Sequence, residues 1–108
     1  MAKRGKRHGS LIRNNIIEIL YFMKQGHGYS IYKVYRELYP KATMRSVYYN
    51  LHTGEKLGEF VIKGIESEKG NYSWGAQAEK VYYSLGPNAK PAGELRVKEY
   101  FDRVKKAL

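Results

Sequence analysis

The sequence predicts an α+β fold that is mainly helical: three helices, then a two-stranded β-hairpin, then a last helix. Apolar residues recur at helical spacing in three segments before residue 58. The segments "EFVIKGIES" and "KVYYSL" are rich in β-formers and are separated by the turn-forming residues "EKGN". After "GPNAKP" the apolar residues return at steps of four, three and four. A chain of 108 residues should form one compact domain.

The first two predicted helices have clear stop signals. Ser10 is a plausible N-cap for a helix over residues 11 to 24, which "GHG" at 26 to 28 ends. Ser30 is expected to cap the second helix, and Pro40 to end it. The apolar faces comprise Ile12, Ile16, Ile19, Leu20 and Met23 in the first helix, and Ile31, Val34, Tyr35 and Leu38 in the second.

The third helix should begin after Thr43 as N-cap and close at Gly58. Its apolar side carries Val47, Leu51 and Gly54. The opposite side is polar or basic, with no acidic residue before Glu55, and consists of Arg45, Ser46, Tyr49, Asn50, Thr53 and Lys56. Three helices followed by a hairpin form a winged helix-turn-helix, in which the third helix enters the major groove of DNA.

The pairing within the hairpin has two possible forms. Residues 60 to 67 could pair directly with residues 80 to 85 across a long loop. Alternatively, residues 72 to 75 could extend the returning strand, with a bulge near residues 76 to 79. In either form the hairpin protrudes as a wing, whose candidate phosphate contacts are Lys63, Lys69, Asn71 and Tyr72. Trp74 could stack on a sugar or a base, but we expect it to cover the end of the small core.

Charge points to a polyanionic partner. The chain has 20 Lys and Arg against 10 Asp and Glu, a net charge of +10. Half of this excess positive charge lies in the first 13 residues, which have no acidic side chain. The cations of this segment are Lys3, Arg4, Lys6, Arg7 and Arg13. We expect residues 1 to 10 to form a disordered arm that binds phosphates, the alternative being a solubilising tail.

The sequence also excludes several classes of protein. With no cysteine, disulfides, zinc ribbons, iron–sulfur clusters and thiol chemistry are excluded, and a cytoplasmic location fits best. A signal peptide and a spanning helix are not expected. His8, His27 and His52 are too scattered for a metal site, and His52 is expected to be a hydrogen-bonded packing residue. No catalytic constellation can be assembled, so we expect neither an enzyme nor a cofactor.

Three segments, "HGYSIYKVYREL", "SVYYNLHTGEKLGEFV" and "EKVYYSLGP", resemble the winged-helix domain of PadR-like transcriptional regulators over residues 11 to 87. The matching positions are Gly28, Tyr29, Val47, Tyr48, Leu51, His52, Lys80, Tyr82 and Tyr83. The chain departs from the family at Gly54, where leucine is usual, at Trp74, and in lacking a proline before the third helix; archaeal winged-helix proteins show such drift. The resemblance implies homodimers joined through the C-terminal helix, on a two-fold operator.

The predicted function is therefore sequence-specific binding of double-stranded DNA by a homodimeric regulator. Arg45 could read guanine and Asn50 adenine, each contributing about 1 to 3 kcal/mol of discrimination. Thr43, Ser46, Tyr49 and Thr53 could contact phosphate or thymine methyl groups, and Lys56 the backbone. Residues 91 to 108 should supply the dimer interface, through Val97, Phe101, Val104 and Leu108. The alternatives are a structured-RNA or ribonucleoprotein partner, or non-specific architectural DNA binding. Nothing identifies a small-molecule effector.

Overall fold

The computed structural model describes residues 8–39, 41–68 and 78–107. Within these ranges the elements follow the order α1 (His8–Met23), β1 (Gly26–His27), α2 (Gly28–Leu38), α3 (Met44–Lys56), β2 (Phe60–Glu68), β3 (Ala78–Leu85) and α4 (Leu95–Ala107). This is the predicted order of helices, hairpin and final helix, with one added strand. Every helix in these ranges is too short or too polar to cross a bilayer.

Helix α1 begins earlier than the sequence indicates. Its first residue is His8, so Ser10 lies inside the helix and the prediction of Ser10 as N-cap is wrong. At the other end Lys24 adopts a φ of +78°, and its backbone N–H donates to the carbonyl oxygen of Leu20 at 2.8 Å. A left-handed residue just past the last turn is the usual way to stop a helix.

Strand β1 was not predicted from the sequence. It pairs antiparallel with β3, Gly26 opposite Tyr83 and His27 opposite Tyr82, which gives a three-stranded sheet in the order β1-β3-β2. The predicted two-stranded hairpin is confirmed as β2 and β3, and β1 adds a third strand to it. A strand of two residues, one of them glycine, carries no period-2 pattern, so this pairing leaves no signal in the local sequence.

Ser30 serves helix α2 in a different position from the one predicted. The N-cap is His27, and Ser30 is the third helical residue. The Ser30 hydroxyl accepts a hydrogen bond from the His27 backbone N–H at 3.2 Å and donates to the His27 carbonyl at 2.9 Å. The serine thus secures the first turn by reaching back to the cap.

The predicted cap of helix α3 is confirmed. The Thr43 hydroxyl accepts from the Ser46 backbone N–H at 3.1 Å, and the Ser46 hydroxyl accepts from the Thr43 N–H at 3.2 Å, a reciprocal capping box. Gly58, with a φ of +79°, ends the helix as predicted. The chain then reverses directly into β2.

In the described part of the hairpin, β2 and β3 pair directly, as in the first of the two forms. Strands β2 and β3 pair from Phe60 opposite Leu85 to Glu68 opposite Ala78. The irregularity in the described ladder lies between Ile62 and Gly64, where Lys63 is the extra residue. Residues 72 to 77, on which the second form depends, lie outside the described residues. Residues 69 to 77, which include Trp74 and three of the four wing candidates, lie outside the described residues.

Helix α1 lies at the centre of the core and packs against α2, α3, α4 and β3. The buried apolar residues are Ile16, Ile17, Ile19, Leu20, Ile31, Val34, Tyr35, Val47, Leu51, Phe60 and Val97. Val97 of α4 is 0% exposed, so the prediction that it contacts a partner subunit is wrong. Helices 1 to 3 do not close the core by themselves, and the first turns of α4 complete it.

A buried carboxylate fixes the start of α4. Glu18 of α1 accepts hydrogen bonds from the backbone N–H groups of Ala92, Gly93 and Glu94 at 2.6, 2.9 and 2.9 Å. Arg96 adds a hydrogen bond to the Leu38 carbonyl at the end of α2, at 3.1 Å. A negative charge at a helix N-terminus is stabilised by the unpaired N–H groups and the helix dipole. Helix α4 is therefore anchored at its beginning.

Candidate nucleic-acid interface

The outer face of α3 carries a straight stripe of exposed side chains. Arg45, Tyr49, His52 and Lys56 are spaced by four, three and four residues, and all four are exposed. At 1.5 Å per residue the stripe is about 16 Å long. It contains a cation at each end and no carboxylate. We call these four residues the α3 stripe.

Asn50 does not belong to this surface, and the prediction that it faces solvent is wrong. The residue is 2% exposed, and its amide Nδ2 donates to the Ser46 carbonyl at 2.8 Å. Its Oδ1 accepts no hydrogen bond from any described residue. Asn50 follows Arg45 by five residues, which is a rotation of about 140° around the helix axis. This rotation places Asn50 within about 60° of buried Val47. A helical wheel would have revealed this from the sequence.

The other polar candidates of α3 lie at the edges of the stripe. Ser46 and Thr53 are half-buried, and the hydroxyls of Thr43 and Ser46 are both engaged in the capping box. His52, expected to pack, is instead exposed. Sequence reasoning placed it correctly on α3 but missed its place beside Tyr49.

An aromatic groove of about 420 Å³ adjoins the α3 stripe. It lies between the start of α2, α3 and β3, and is lined by His27, Gly28, Tyr29, Tyr48, Leu51, His52, Lys80, Val81 and Tyr83. Burial raises the pKa of Tyr83, and the nearby Glu55 carboxylate and Tyr48 raise it further, so the ring keeps its hydroxyl proton at neutral pH. The groove lining contains imidazoles, phenols and an amine but no carboxylate.

Gly28 is required for the shape of this groove. A Cβ atom at Gly28 would lie 2.5 Å from Cε1 of Tyr48. The Tyr48 ring therefore rests directly on the first turn of α2. Most positions that match PadR-like proteins in the sequence, from Gly28 to Tyr83, line this groove. They are far apart along the chain, and the fold brings them together.

Of the predicted wing contacts, Lys63 is the one that the structure describes. It is exposed, at the bulge of β2, and Ile62 before it and Ile65 after Gly64 are exposed as well. Lys69, Asn71 and Tyr72 lie outside the described residues.

Of the five cations near the start of the chain, the structure describes one. Lys3, Arg4, Lys6 and Arg7 lie outside the described residues. Arg13, grouped with the arm by the charge count, is part of α1, and its Nε lies 2.7 Å from Oε1 of Glu59. The prediction of Arg13 as an arm residue is wrong, since the side chain joins α1 to the start of β2.

The second half of α4 leaves apolar side chains uncovered. A groove of about 330 Å³ between the ends of α1 and α4 is lined by Phe22, Met23, Lys98, Phe101, Asp102, Val104 and Lys105. Val104 is 41% exposed and Phe101 is half-buried. Leu108 lies outside the described residues. Sequence reasoning missed Phe22, which is off the apolar face of α1 that the periodicity indicates.

The described residues contain no group of three or more His, Asp or Glu side chains close enough to hold a metal ion.

Comparison with known proteins gives a likeness in structure only. No family model matches the chain, and no curated protein matches it in sequence. A crystal structure from Thermoplasma acidophilum, of a protein assigned as a transcriptional regulator, has a TM-score of 0.52 and 23% identity, covering 92% of this chain and 84% of that one. A PadR family transcription regulator from hypervirulent Clostridium difficile has a TM-score of 0.47 and 23% identity, covering 84% of this chain and 92% of that one. The first likeness confirms the predicted fold: this chain is a winged helix-turn-helix with an additional C-terminal helix.

Proposed function

We propose that the protein is a sequence-specific regulator of transcription that binds double-stranded DNA as a homodimer, with α3 in the major groove. The observation that carries the proposal is the α3 stripe. Four exposed side chains without a carboxylate lie on the third helix of a winged helix-turn-helix, which is the helix that reads base edges in this fold. The exposed carboxylate of Glu55 lies about 80° from Arg45 around the helix axis, beside the stripe and not on it.

Within the stripe the roles differ by position. Arg45 lies in the first turn of α3, from which side chains reach base edges, and its guanidinium can bond O6 and N7 of guanine. Tyr49 is 65% exposed and offers both a hydroxyl and a ring edge to a thymine methyl group or a phosphate. Lys56, in the last turn, is suited to the phosphate backbone. Ser46 and Thr53 could add contacts at the edge of the stripe.

The surfaces beside the stripe favour contact with the sugar–phosphate backbone. The aromatic groove presents His52 and Lys80 to any strand that passes between α3 and the wing. Lys63 on the wing and the cations of residues 3 to 7 would extend this contact. Such contacts determine the register of the protein on DNA but carry no sequence information themselves.

The apolar groove formed by Phe22, Phe101 and Val104 is the proposed dimer interface. A second copy is its most economical occupant, because an isologous contact covers the same patch on both subunits. Two copies related by a two-fold axis would present two α3 stripes to a two-fold operator. Val97 has no part in this interface, since it lies in the core of its own subunit.

Selection from a random pool of duplex DNA tests the proposal, with a pool of structured RNA as the competing ligand. We expect enrichment of a two-fold duplex sequence, bound by two copies of the chain. Enrichment of RNA alone, or binding of duplex DNA without any sequence enrichment, would contradict the proposal and support the RNA-directed or the architectural alternative.

A further inference from the structure

The aromatic groove is large enough to hold a small molecule. Its volume of about 420 Å³ lies within the range of roughly 300 to 1,000 Å³ that is usual for ligand sites. A cavity of roughly 150 Å³ is enough to hold benzene, so a single ring would leave most of the groove unfilled. The volume fits a ligand that combines a fused ring system with a further group.

The walls of the groove offer ring surface to such a ligand. Tyr29 and Tyr48 both line it, and they are 47% and 46% exposed. The Tyr48 ring is supported from the side of α2, where it lies against Gly28. Leu51 and Val81 add apolar side chains to the lining. Exposed phenol rings beside aliphatic groups form a surface on which a planar ring system can stack.

The polar groups of the groove favour an anion. Lys80 contributes an ammonium and His52 an imidazole. Tyr83 contributes a hydroxyl that stays protonated at neutral pH, because burial raises its pKa and the Glu55 carboxylate raises it further. Glu55 itself is not among the residues that line the groove. A phosphate group can accept hydrogen bonds from all three donors.

We propose that the aromatic groove binds a purine nucleotide, with the base stacked on the tyrosine rings and the phosphate bound by Lys80 and His52. A purine is a planar fused ring system with hydrogen-bonding edges, and its 5′-phosphate supplies the anion. One molecule therefore matches both the aromatic and the polar part of the lining.

Binding of the nucleotide also regulates the contact with DNA. His52 belongs to both the α3 stripe and the groove lining, so a nucleotide and a DNA strand compete for it. The bound phosphate in addition places negative charge beside the α3 stripe, which repels the phosphates of DNA. This competition rests on the proposed function, whereas binding of the nucleotide itself does not depend on it.

The first experiment measures binding by calorimetry on the unmodified chain without DNA. The ligands are adenosine 5′-monophosphate, adenosine, ribose 5-phosphate and 2-naphthyl phosphate. We expect saturable binding of adenosine 5′-monophosphate. Adenosine lacks the phosphate and ribose 5-phosphate lacks the base, so each should bind at least about five-fold more weakly. Equal or tighter binding of 2-naphthyl phosphate would overturn the assignment to a nucleotide.

Four variants locate the site. Tyr48→Leu removes a stacking ring and should weaken binding of adenosine 5′-monophosphate by about five-fold or more, and Lys80→Gln should do so by about ten-fold or more. Their matched controls are Tyr21→Leu and Lys90→Gln, which change an exposed tyrosine and an exposed lysine away from the groove and should leave the affinity unchanged. Thermal unfolding identifies any variant that does not fold. In the unmodified chain the nucleotide should also shift the amide resonances of Gly28 and Val81.

The second experiment measures the affinity for a selected duplex with and without saturating adenosine 5′-monophosphate, with sodium sulfate as the control at equal ionic strength. The nucleotide should lower the affinity of the unmodified chain more than sulfate does. In Tyr48→Leu this difference should be lost.

The possible failures are distinct from one another. No saturable binding of adenosine 5′-monophosphate, or equal losses in the groove variants and their controls, would overturn the nucleotide site and leave the proposed function standing. Nucleotide binding without an effect on duplex affinity would overturn the competition. If the unmodified chain binds no duplex, the proposed function fails and the competition fails with it, while calorimetry still decides whether the groove binds a nucleotide.

Discussion

Helices α3 and α4 have the same length, 13 residues, and similar apolar stripes, but the fold uses them differently. All the apolar positions of the α3 pattern are buried. In α4 burial decreases along the helix, from Val97 at 0% exposed, through half-buried Phe101, to Val104 at 41%. An apolar stripe therefore shows that a helix needs a partner, but it does not show whether the partner is the same domain or another subunit.

The polar faces of the two helices differ as well. The α3 stripe has no carboxylate, whereas α4 pairs Lys98 with Asp102 at 3.1 Å, one turn apart. An exposed pair of this kind contributes about 0.3 to 0.5 kcal/mol to stability, and its two charges neutralise each other. Helix α4 as a whole still carries five basic residues against two acidic ones, so charge alone does not separate the two helices. The proposed assignment of nucleic-acid contact to α3 rests on its place as the third helix of the fold.

The largest expected effect on stability is at the start of α4, and the same substitution at its end should have little effect on stability. Val97→Asp buries an unpaired charge in the core and should lower the free energy of unfolding by about 3 to 5 kcal/mol. Val104→Asp should change it by less than about 0.5 kcal/mol, because the side chain is exposed, but should convert a dimer into a monomer. Urea denaturation measures the first effect and sedimentation the second. A stable, folded Val97→Asp protein would show that α4 does not complete the core.

The next largest effect concerns close packing beneath α3. A Cβ atom at Gly54 would lie 2.3 Å from the ring of Phe60, which is fully buried. Gly54→Ala should therefore lower the free energy of unfolding by about 1 to 3 kcal/mol. Gly64→Ala on β2 is the matched control, since nothing lies within 4 Å of its Cβ position. Thermal unfolding of both variants decides this, and equal melting temperatures would mean that Phe60 is free to move aside.

A smaller effect distinguishes the two polar residues of α3. Asn50→Ala removes a buried amide and its hydrogen bond to Ser46, so we expect a loss of about 1 kcal/mol of stability. Arg45→Ala removes an exposed side chain and should change stability by less than about 0.5 kcal/mol. Chemical denaturation of the two variants measures the difference. A larger loss for Arg45→Ala would indicate that its side chain supports the fold.

Sequence periodicity predicted the helices because the spacing of apolar residues is a local feature, although the caps expected at Ser10 and Ser30 were wrong. The Thr43 capping box and the glycine stop at Gly58 needed nothing beyond their own helix. Strand β1 could not be predicted, because its two residues are specified by pairing with β3, more than fifty residues away. The burial of Val97 depends in the same way on the space that α1 and α2 leave open.

The candidate site was predicted in outline and misassigned in detail. Arg45 and Lys56 follow from the pattern of polar residues on α3, whereas Asn50 was placed on the wrong side of that helix. The aromatic groove could not be predicted from the sequence, since it combines residues from α2, α3 and β3. Gly28 is a local indication of the groove, because the absence of a side chain leaves room for the Tyr48 ring.

The most direct test of the central claim is the base preference of Arg45→Ala, measured on a selected duplex and on single-base variants of each half-site. If α3 reads bases through Arg45, preference should relax at one position of each half-site, by about 1 to 3 kcal/mol, and persist at the others. Asn50→Ala, compared at equal concentrations of folded protein, should keep the full preference. A uniform loss of affinity in Arg45→Ala, equal for selected and random duplexes, would contradict base reading by α3 and with it the regulator function.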